Sequence, residues 1–275
     1  MCGFLEAANY MQLASLLHKF RYIYIPLSVA ALKVVDATTT SSDRATHPVP
    51  PPPAASSSHG EDFAKVVVVR HGETAGNALR IIQGQMDIEL NETGRQQAVM
   101  VARRLANEAK PAAVYSSDLK RVAYTAQTIA TACNVSNLVL NPALRERHMG
   151  DLHGLTFDDA VRSKPDAYKA FTSEDRSQEI PGGGESLDQL SDRCVSYLNT
   201  IASKHKGERV IVVTHGASIE ELCRHADPTS SVRMRIPNTS ICVFHISSTT
   251  GHWILKKFGD VAHLKKVSFP KTAFN

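Results

Sequence analysis

The spacing of apolar and polar positions changes several times along the chain, and each change marks an element. Lys65–Val69 is a β-branched run of the kind that forms a strand buried on both faces. Asn91–Glu108 has helical spacing, with Ala98, Val101, Ala102 and Leu105 on one face and Asn91 placed to cap it. Ala113–Ser116 predicts a short strand and Leu119–Thr131 a helix. Ser186–His205 sets Leu187, Leu190, Cys194, Tyr197, Leu198 and Ile201 at helical spacing. Arg209–Thr214 is a second β-branched strand, centred on Val210–Val213, and Ala217–His225 is helical again. Ser240–Ile246 and Trp253–Phe258 predict late strands. Strands alternating with helices predict an α/β domain with a mostly parallel sheet. No internal repeat is present.

Before residue 63 this patterning is missing. Thr38–Ser58 is rich in Thr, Ser, Ala and Pro, includes Pro50–Pro53, and has one acid, Asp43. Such a stretch reads as a disordered linker. Residues 1–35 carry one acid, Glu6, the bases Lys19, Arg21 and Lys33, and an apolar middle. That composition fits an organellar transit peptide, and it equally fits an extension with no role. A secretory signal fits less well, because Pro26 breaks the apolar stretch and no clean cleavage signature follows. The expected organisation is an N-terminal extension or transit peptide with its linker over 1–62 and one domain over 63–275. The expected location is the cytoplasm, or a plastid or mitochondrion if the extension is a transit peptide.

Composition removes several classes of function. The chain has 275 residues, 43% of them apolar and 21% charged, which is ordinary for a globular domain. The longest apolar candidate, Tyr22–Val35, is interrupted by Pro26, Ser28 and Lys33 and is shorter than the roughly 18 residues of a membrane span. The net charge of +4 comes from interspersed bases and acids, and aromatics are 6%, so neither a nucleic-acid footprint nor a base-stacking platform is expected. Five widely spaced cysteines fit buried thiols in a reduced compartment better than a disulfide framework. His148 and His153 lack the spacing of a zinc helix, and no metal or cofactor is expected. Gly182–Gly184 lacks the Lys-Ser/Thr of a phosphate-binding loop and reads as a turn before a helix.

The chemistry gathers at two strand ends that look alike. One is Val69-Arg70-His71-Gly72-Glu73-Thr74 and the other is Val213-Thr214-His215-Gly216-Ala217. Each is a buried strand followed at once by His-Gly. Ligand sites in open α/β sheets form beyond the carboxyl ends of strands, so neighbouring strands would bring both histidines to one crevice. The glycines allow the sharp turn that exposes backbone N–H groups there.

These residues carry a family resemblance. Val69–Ala98 holds an Arg-His-Gly-Glu-Thr signature with Asn77, Gln83-Gly84, Asp87, Leu90, Gly94 and Gln97. Tyr115–Ala126 holds Arg121, Leu144–Leu155 holds Glu146, and Pro181–Ser186 and Val210–Gly216 complete the order. The sequence over residues 64–260 resembles the histidine phosphatase superfamily, also called phosphoglycerate mutase-like. On its own, Arg121 next to Lys120 reads as well as a solvated helix face, and Arg145-Glu146-Arg147 as a surface charge cluster. The resemblance implies a three-layer α/β/α fold and assigns both to the site.

The implied chemistry is phosphoryl transfer. A transferred phosphoryl group carries charge on three oxygens, so its site needs cations and donors around it. Arg70 and Arg121 offer guanidinium forks, and His215 is expected as a third cationic donor. Asn77 and the N–H groups of Gly216 and Ala217 complete the set. His71 is the expected nucleophile, with one ring nitrogen neutral and the other N–H held by a backbone carbonyl. Glu146 is the expected acid for the leaving alkoxide, kept protonated by the facing phosphate, and then the base for water. Gln83, Gly84, Met149 and His148, with Lys164 and Lys169 further on, are candidates to face the rest of a small phosphorylated metabolite. The two lysines read equally as solvated helix residues.

The same family contains hydrolases and mutases. In the mutases the Glu-Arg-His is followed by Tyr-Gly and later by a substrate lysine, where this chain has Met149 and Phe157. The mutases also carry a long insertion with paired arginines. Only 69 positions separate Glu146 from His215 here, and Arg162 and Arg176 stand apart. The expected enzyme is therefore a phosphatase, with cofactor-dependent mutase transfer the alternative and a non-catalytic phosphate-binding scaffold a more distant one. The oligomeric state is not legible.

Overall fold

Val66, Val67, Val68 and Val69 are all buried, and because strand side chains alternate they serve two cores. Each buried valine contributes about 1.5–3 kcal/mol, an upper estimate because the unfolded chain is already partly collapsed. The computed structural model describes residues 63–229 and 236–265. The transit peptide and linker expected within residues 1–62 lie outside the described residues.

The sheet has six strands: β1 Phe63–Arg70, β2 Ala113–Ser116, β3 Leu138–Leu140, β4 Arg209–Thr214, β5 Ile241–Ser247 and β6 Trp253–Asp260, in the order β3-β2-β4-β1-β5-β6. The pairs β3–β2, β2–β4 and β4–β1 are parallel, and β1–β5 and β5–β6 are antiparallel. The helices are α1 Ala75–Ala78, α2 Glu92–Ala106, α3 Lys120–Ala132, α4 Phe157–Ser163, α5 Pro165–Thr172, α6 Leu187–Lys204 and α7 Gly216–Ala226.

On one face, Val67 and Val69 pack with Val101 and Leu105 of α2 and Val122 and Ile129 of α3. On the other, Val66 and Val68 pack with Leu190, Leu198 and Ile201 of α6 and Ile219 and Leu222 of α7. This is the expected three-layer arrangement. Two expected helix starts are built as read: the Asn91 side chain accepts the Gly94 N–H, and Ser186 forms a reciprocal cap with Gln189.

The sequence pattern shows no sign of β3, α1 or α4, while Lys169 lies on the helix α5, as its solvated-helix reading has it. β3 is a three-residue edge strand with Leu140 exposed, so it carries no apolar period. α4 and α5 are short and cover a smaller cluster of Ile82, Met149, Leu152, Ala160, Ala167 and Ile180. Gly182 and Gly183 have φ of +83° and +76° and make the turn that precedes α6.

Candidate active site

β1 and β4 lie side by side and parallel, with Arg70 opposite Thr214, so both His-Gly pairs leave the sheet at the same end. The His71 N–H donates to the Thr214 carbonyl at 3.0 Å. The His71 and His215 rings stand 5.2 Å apart, edge to face at 68°. The shared crevice expected from the two strand ends is present. Gly72 permits it: a Cβ there would fall 2.4 Å from the Gly94 carbonyl oxygen, so the His71 loop lies directly on the start of α2.

His71 is buried, and its Nδ1 is 2.6 Å from the Gly72 carbonyl oxygen. A carbonyl can only accept, so Nδ1 carries the proton and Nε2 keeps its lone pair. Burial, then the Arg121 and Arg70 guanidiniums, hold this imidazole well below the ordinary histidine range. It is therefore neutral at physiological pH.

Arg121 lies in the first turn of α3, and the solvated-face reading does not hold because it is 1% exposed. Its two Nη groups donate to the Met86 carbonyl and, at 2.7 Å, to the Gly84 carbonyl. Its Nε is buried with no hydrogen-bond partner among the described residues. Burial lowers this guanidinium to about 10. Arg70 closes the crevice on the β1 side and donates to the Ile236 carbonyl.

His215 departs from expectation. Its Nδ1 accepts from Arg121 at 3.3 Å and its Nε2 donates to the Ser117 hydroxyl at 3.1 Å. Burial, then Arg121, His71 and Arg70, press it well below the histidine range. Arg121 donating to Nδ1 and this downward push make it a neutral ring, so it is not the third cation expected here, and the positive charge comes from the two arginines.

Glu146 is singled out by its neighbours. Arg145 binds Asp118 through two hydrogen bonds, and buried Arg147 donates to the Glu185 and Gln178 carbonyls. Both flanking charges are thus turned away, and the surface-cluster reading fails. The Glu146 carboxylate accepts the Arg147 N–H at 2.9 Å and, across the site, the Ala217 N–H at 3.2 Å. A Cβ on Gly216 would sit 3.6 Å from Arg70 Nε and 3.9 Å from Glu146 Oε2. Gly216 is therefore the open floor between the arginine and the acid.

The expected substrate-facing residues are used unevenly. Asn77 commits its Oδ1 to the Thr74 N–H and to Asn238 Nδ2, which leaves its amide N–H groups for the site. Gln83 is buried against Gly76 and accepts from the Thr74 hydroxyl at 2.7 Å. Gly84 gives its carbonyl to Arg121, and its φ of +48° and the approach of Met149 and His153 exclude a side chain. Met149 is packed with Ile82, Leu152 and Ala160. As a correction, Gln83, Gly84 and Met149 form the wall that fixes Arg121 and the Thr74 turn. His153 Nε2 accepts the Gln85 and Met149 N–H groups, and the His148 ring stacks edge-on against it. Lys164 pairs with Asp151 on the surface and Lys169 is exposed.

Other residues belong to the site without any sequence signal. Arg193 of α6 donates to the carbonyls of Ala143, Arg145 and Glu146 and pairs with Glu185, whose other oxygen takes the His148 N–H. Thr125 accepts the Gly72 N–H, and Asn238 donates to the His71 carbonyl. Glu220 of α7 is half-buried, and burial, then Glu146, raise its carboxyl to about 7. Among the described residues no group of three or more His, Cys, Asp or Glu is placed to hold a metal ion, and no helix is long and apolar enough to cross a membrane.

Chemically, the arrangement is a neutral imidazole nitrogen beside two guanidiniums, with a carboxyl on the opposite side of a small floor. Comparison with known proteins finds the same constellation's family. Residues 66–261 match the family model of the histidine phosphatase superfamily (branch 1). The chain is 49% identical to phosphoglycerate mutase-like protein 4 of Arabidopsis thaliana over 217 residues, covering 79% of this chain and 94% of that one. It is 46% identical to a metal-independent phosphoserine phosphatase of the same plant over 214 residues, covering 78% and 89%. The fold superposes on the crystal structure of phosphoserine phosphatase from Entamoeba histolytica in complex with 3-phosphoglyceric acid, with a TM-score of 0.63 and 30% identity. That match covers 73% of this chain and 99% of that one.

Proposed function

The chain belongs to the histidine phosphatase superfamily, and on that premise we propose that it is a metal-independent phosphatase that hydrolyses the phosphomonoester of a small metabolite through a phosphohistidine on His71. The observation that carries the reading is the His71 ring, whose Nδ1 proton is held by the Gly72 carbonyl while Nε2 stays unprotonated beside Arg70 and Arg121. A neutral nitrogen among cations is a nucleophile in a pocket that attracts anions.

The substrate phosphoryl group is bound by Arg70, Arg121 and the amide of Asn77, with Arg121 Nε the buried donor kept for it. His71 Nε2 attacks phosphorus and the ester P–O bond breaks. Glu146 gives its proton to the departing alkoxide. Water then attacks the phosphohistidine and gives a proton to Glu146. The N–P bond breaks and inorganic phosphate leaves. Fixed guanidiniums aimed at the phosphoryl oxygens stabilise the transition state in a site already shaped for it.

Water as the acceptor is supported by the surroundings of Arg162 and Arg176, two of the arginines between Glu146 and His215. Arg162 pairs with Asp159 on the surface, and Arg176 with Asp188 and buried Glu221. Neither is kept for a second phosphate. The names of the Arabidopsis and Entamoeba phosphoserine phosphatases support phosphoserine and 3-phosphoglycerate as the first compounds to try.

The test is phosphorus NMR of the purified protein with phosphoserine, 3-phosphoglycerate and sugar phosphates, with chelator present. Inorganic phosphate is expected from at least one, and none with His71→Ala. Conversion of 3-phosphoglycerate to 2-phosphoglycerate without free phosphate overturns the hydrolase reading.

A further inference from the structure

The main chain of the nucleophile is fastened from a loop that takes no part in the chemistry. The Thr239 N–H is shared between the Arg70 carbonyl at 3.1 Å and the His71 carbonyl at 3.3 Å. The Asn238 amide donates to the same His71 carbonyl at 3.0 Å. With the His71 N–H on the Thr214 carbonyl, both main-chain polar groups of His71 are engaged. The ring is tied to the neighbouring Gly72 carbonyl, so its direction follows this main chain.

Thr239 makes that bond at a φ of +56°, in the left-handed region. A β-branched residue is strained there, and it stays only where its surroundings hold it. Thr239 is buried, and its hydroxyl is 3.2 Å from His263 Nε2. His263 sits in the turn Ala262–Leu264 that follows β6. That turn has its own anchor: Asp260 accepts the Ala262 N–H at 2.9 Å and is gripped by Arg104 of α2 through two hydrogen bonds. Burial, then Arg104, lower the His263 ring to about 4, so it meets the hydroxyl as a neutral imidazole. His263 Nδ1 is buried with no hydrogen-bond partner among the described residues, so among them the ring serves Thr239 alone.

We propose that His263 and Thr239 are positioning residues for the nucleophile: the contact between them holds the left-handed turn that pins the His71 main chain, and so aims His71 Nε2 at phosphorus. The proposal rests on the phosphatase reading above and adds a support that runs from the turn after β6 to the reacting nitrogen. Without the contact, the Thr239 peptide relaxes out of the left-handed region and its N–H leaves the His71 carbonyl. The ring then points less well. Attack slows while phosphate binding changes little, since the guanidinium forks remain.

The test is single-turnover release of p-nitrophenolate from p-nitrophenyl phosphate, with the full-length chain in excess. This leaving group departs without a proton, so the maximal rate reports on His71 and not on Glu146. His263→Phe and Thr239→Val each keep the shape and remove the contact. Each is expected to lower the maximal rate about tenfold, with the half-saturating concentration within about twofold of the wild type. The double variant should be no slower than either single one, because all three break one contact. His263→Gln returns a neutral polar group to the place of Nε2 and should restore the rate to within about threefold of the wild type. Should His263→Phe not fold, Thr239→Val, which removes one hydroxyl, carries the same test. Unchanged rates, losses that multiply in the double variant, no recovery in His263→Gln, or a change in half-saturation alone overturns the proposal and leaves the phosphatase reading standing. A wild type with no His71-dependent release overturns the phosphatase reading, and this proposal with it.

Discussion

Arg193 Nη2 donates to the main-chain carbonyl of Glu146 at 2.8 Å, so the acid of the site is held by a guanidinium on α6. The same side chain holds the Ala143 and Arg145 carbonyls and is itself fixed by Glu185. The loop that carries Glu146 is thus fastened at three points by one half-buried fork. Arg193 is a positioning residue, and its removal should act on chemistry more than on binding.

Arg193→Lys keeps the charge and loses the fork. We expect kcat to fall about tenfold with KM changed much less, since a misplaced acid weakens the transition state and not the ground state. Arg193→Met leaves the part-buried Glu185 carboxylate without its guanidinium partner and should cost about 1–3 kcal/mol in denaturant unfolding. Equal losses in kcat and stability for both variants, with KM rising in step, would contradict the positioning role.

The pH profile follows from the neutral histidines. His71 must be unprotonated to attack, and its pKa lies well below the ordinary 6.5 because of burial, Arg121 and Arg70. The acid limb of kcat/KM assigned to this group should therefore fall below pH 6.5. Removing a cation should move it upward, so Arg70→Gln is expected to shift the limb toward neutral pH while also lowering kcat/KM. A limb that stays fixed in the variant would assign it to another group.

Stability should respond to the same groups. His71 and His215 both have folded pKa values below their unfolded ones. Below pH 6.5 the unfolded chain binds more protons than the folded one, so stability is present above that pH and is lost as pH falls below it. Each such histidine costs up to about 1.4 kcal/mol per pH unit until its folded pKa is reached. Thermal unfolding from pH 7.5 to 5.5 reads this, and His215→Asn should flatten the slope.

The contact beneath His71 is intolerant of volume. A Cβ on Gly94 would lie 2.0 Å from the Glu73 carbonyl oxygen. Gly94→Ala should cost about 1–3 kcal/mol or more through overpacking, and should lower kcat because the His71–Thr74 turn must move. Circular dichroism melts and turnover measured on one preparation check both.

Much of this site was legible because its chemistry sits where strands end. Four valines running into Arg70 and His71, and a second such run into His215, fix strand, turn and crevice together. Glu146 and Arg121 needed the family resemblance, because their sequence neighbours are charged and read as surface. The structure resolves them by engaging those neighbours elsewhere. Arg193 was invisible because three of its partners are backbone carbonyls, which leave no pattern in sequence. His215 was read with the wrong charge because burial beside two guanidiniums is a property of packing. α4 and β3 were missed because they are short and half-exposed, which weakens any period.

The central claim is that His71 carries the phosphoryl group. The most direct measurement is to mix the protein with phosphoserine, quench within the first turnovers in alkali, where phosphohistidine survives, and map the digest by mass spectrometry. The account predicts a phosphoryl adduct on the peptide containing His71, lost in acid, absent from His71→Ala, and cleared at the rate at which inorganic phosphate appears. Phosphate release that persists in His71→Ala, or an adduct on another residue that turns over at the catalytic rate, would contradict it.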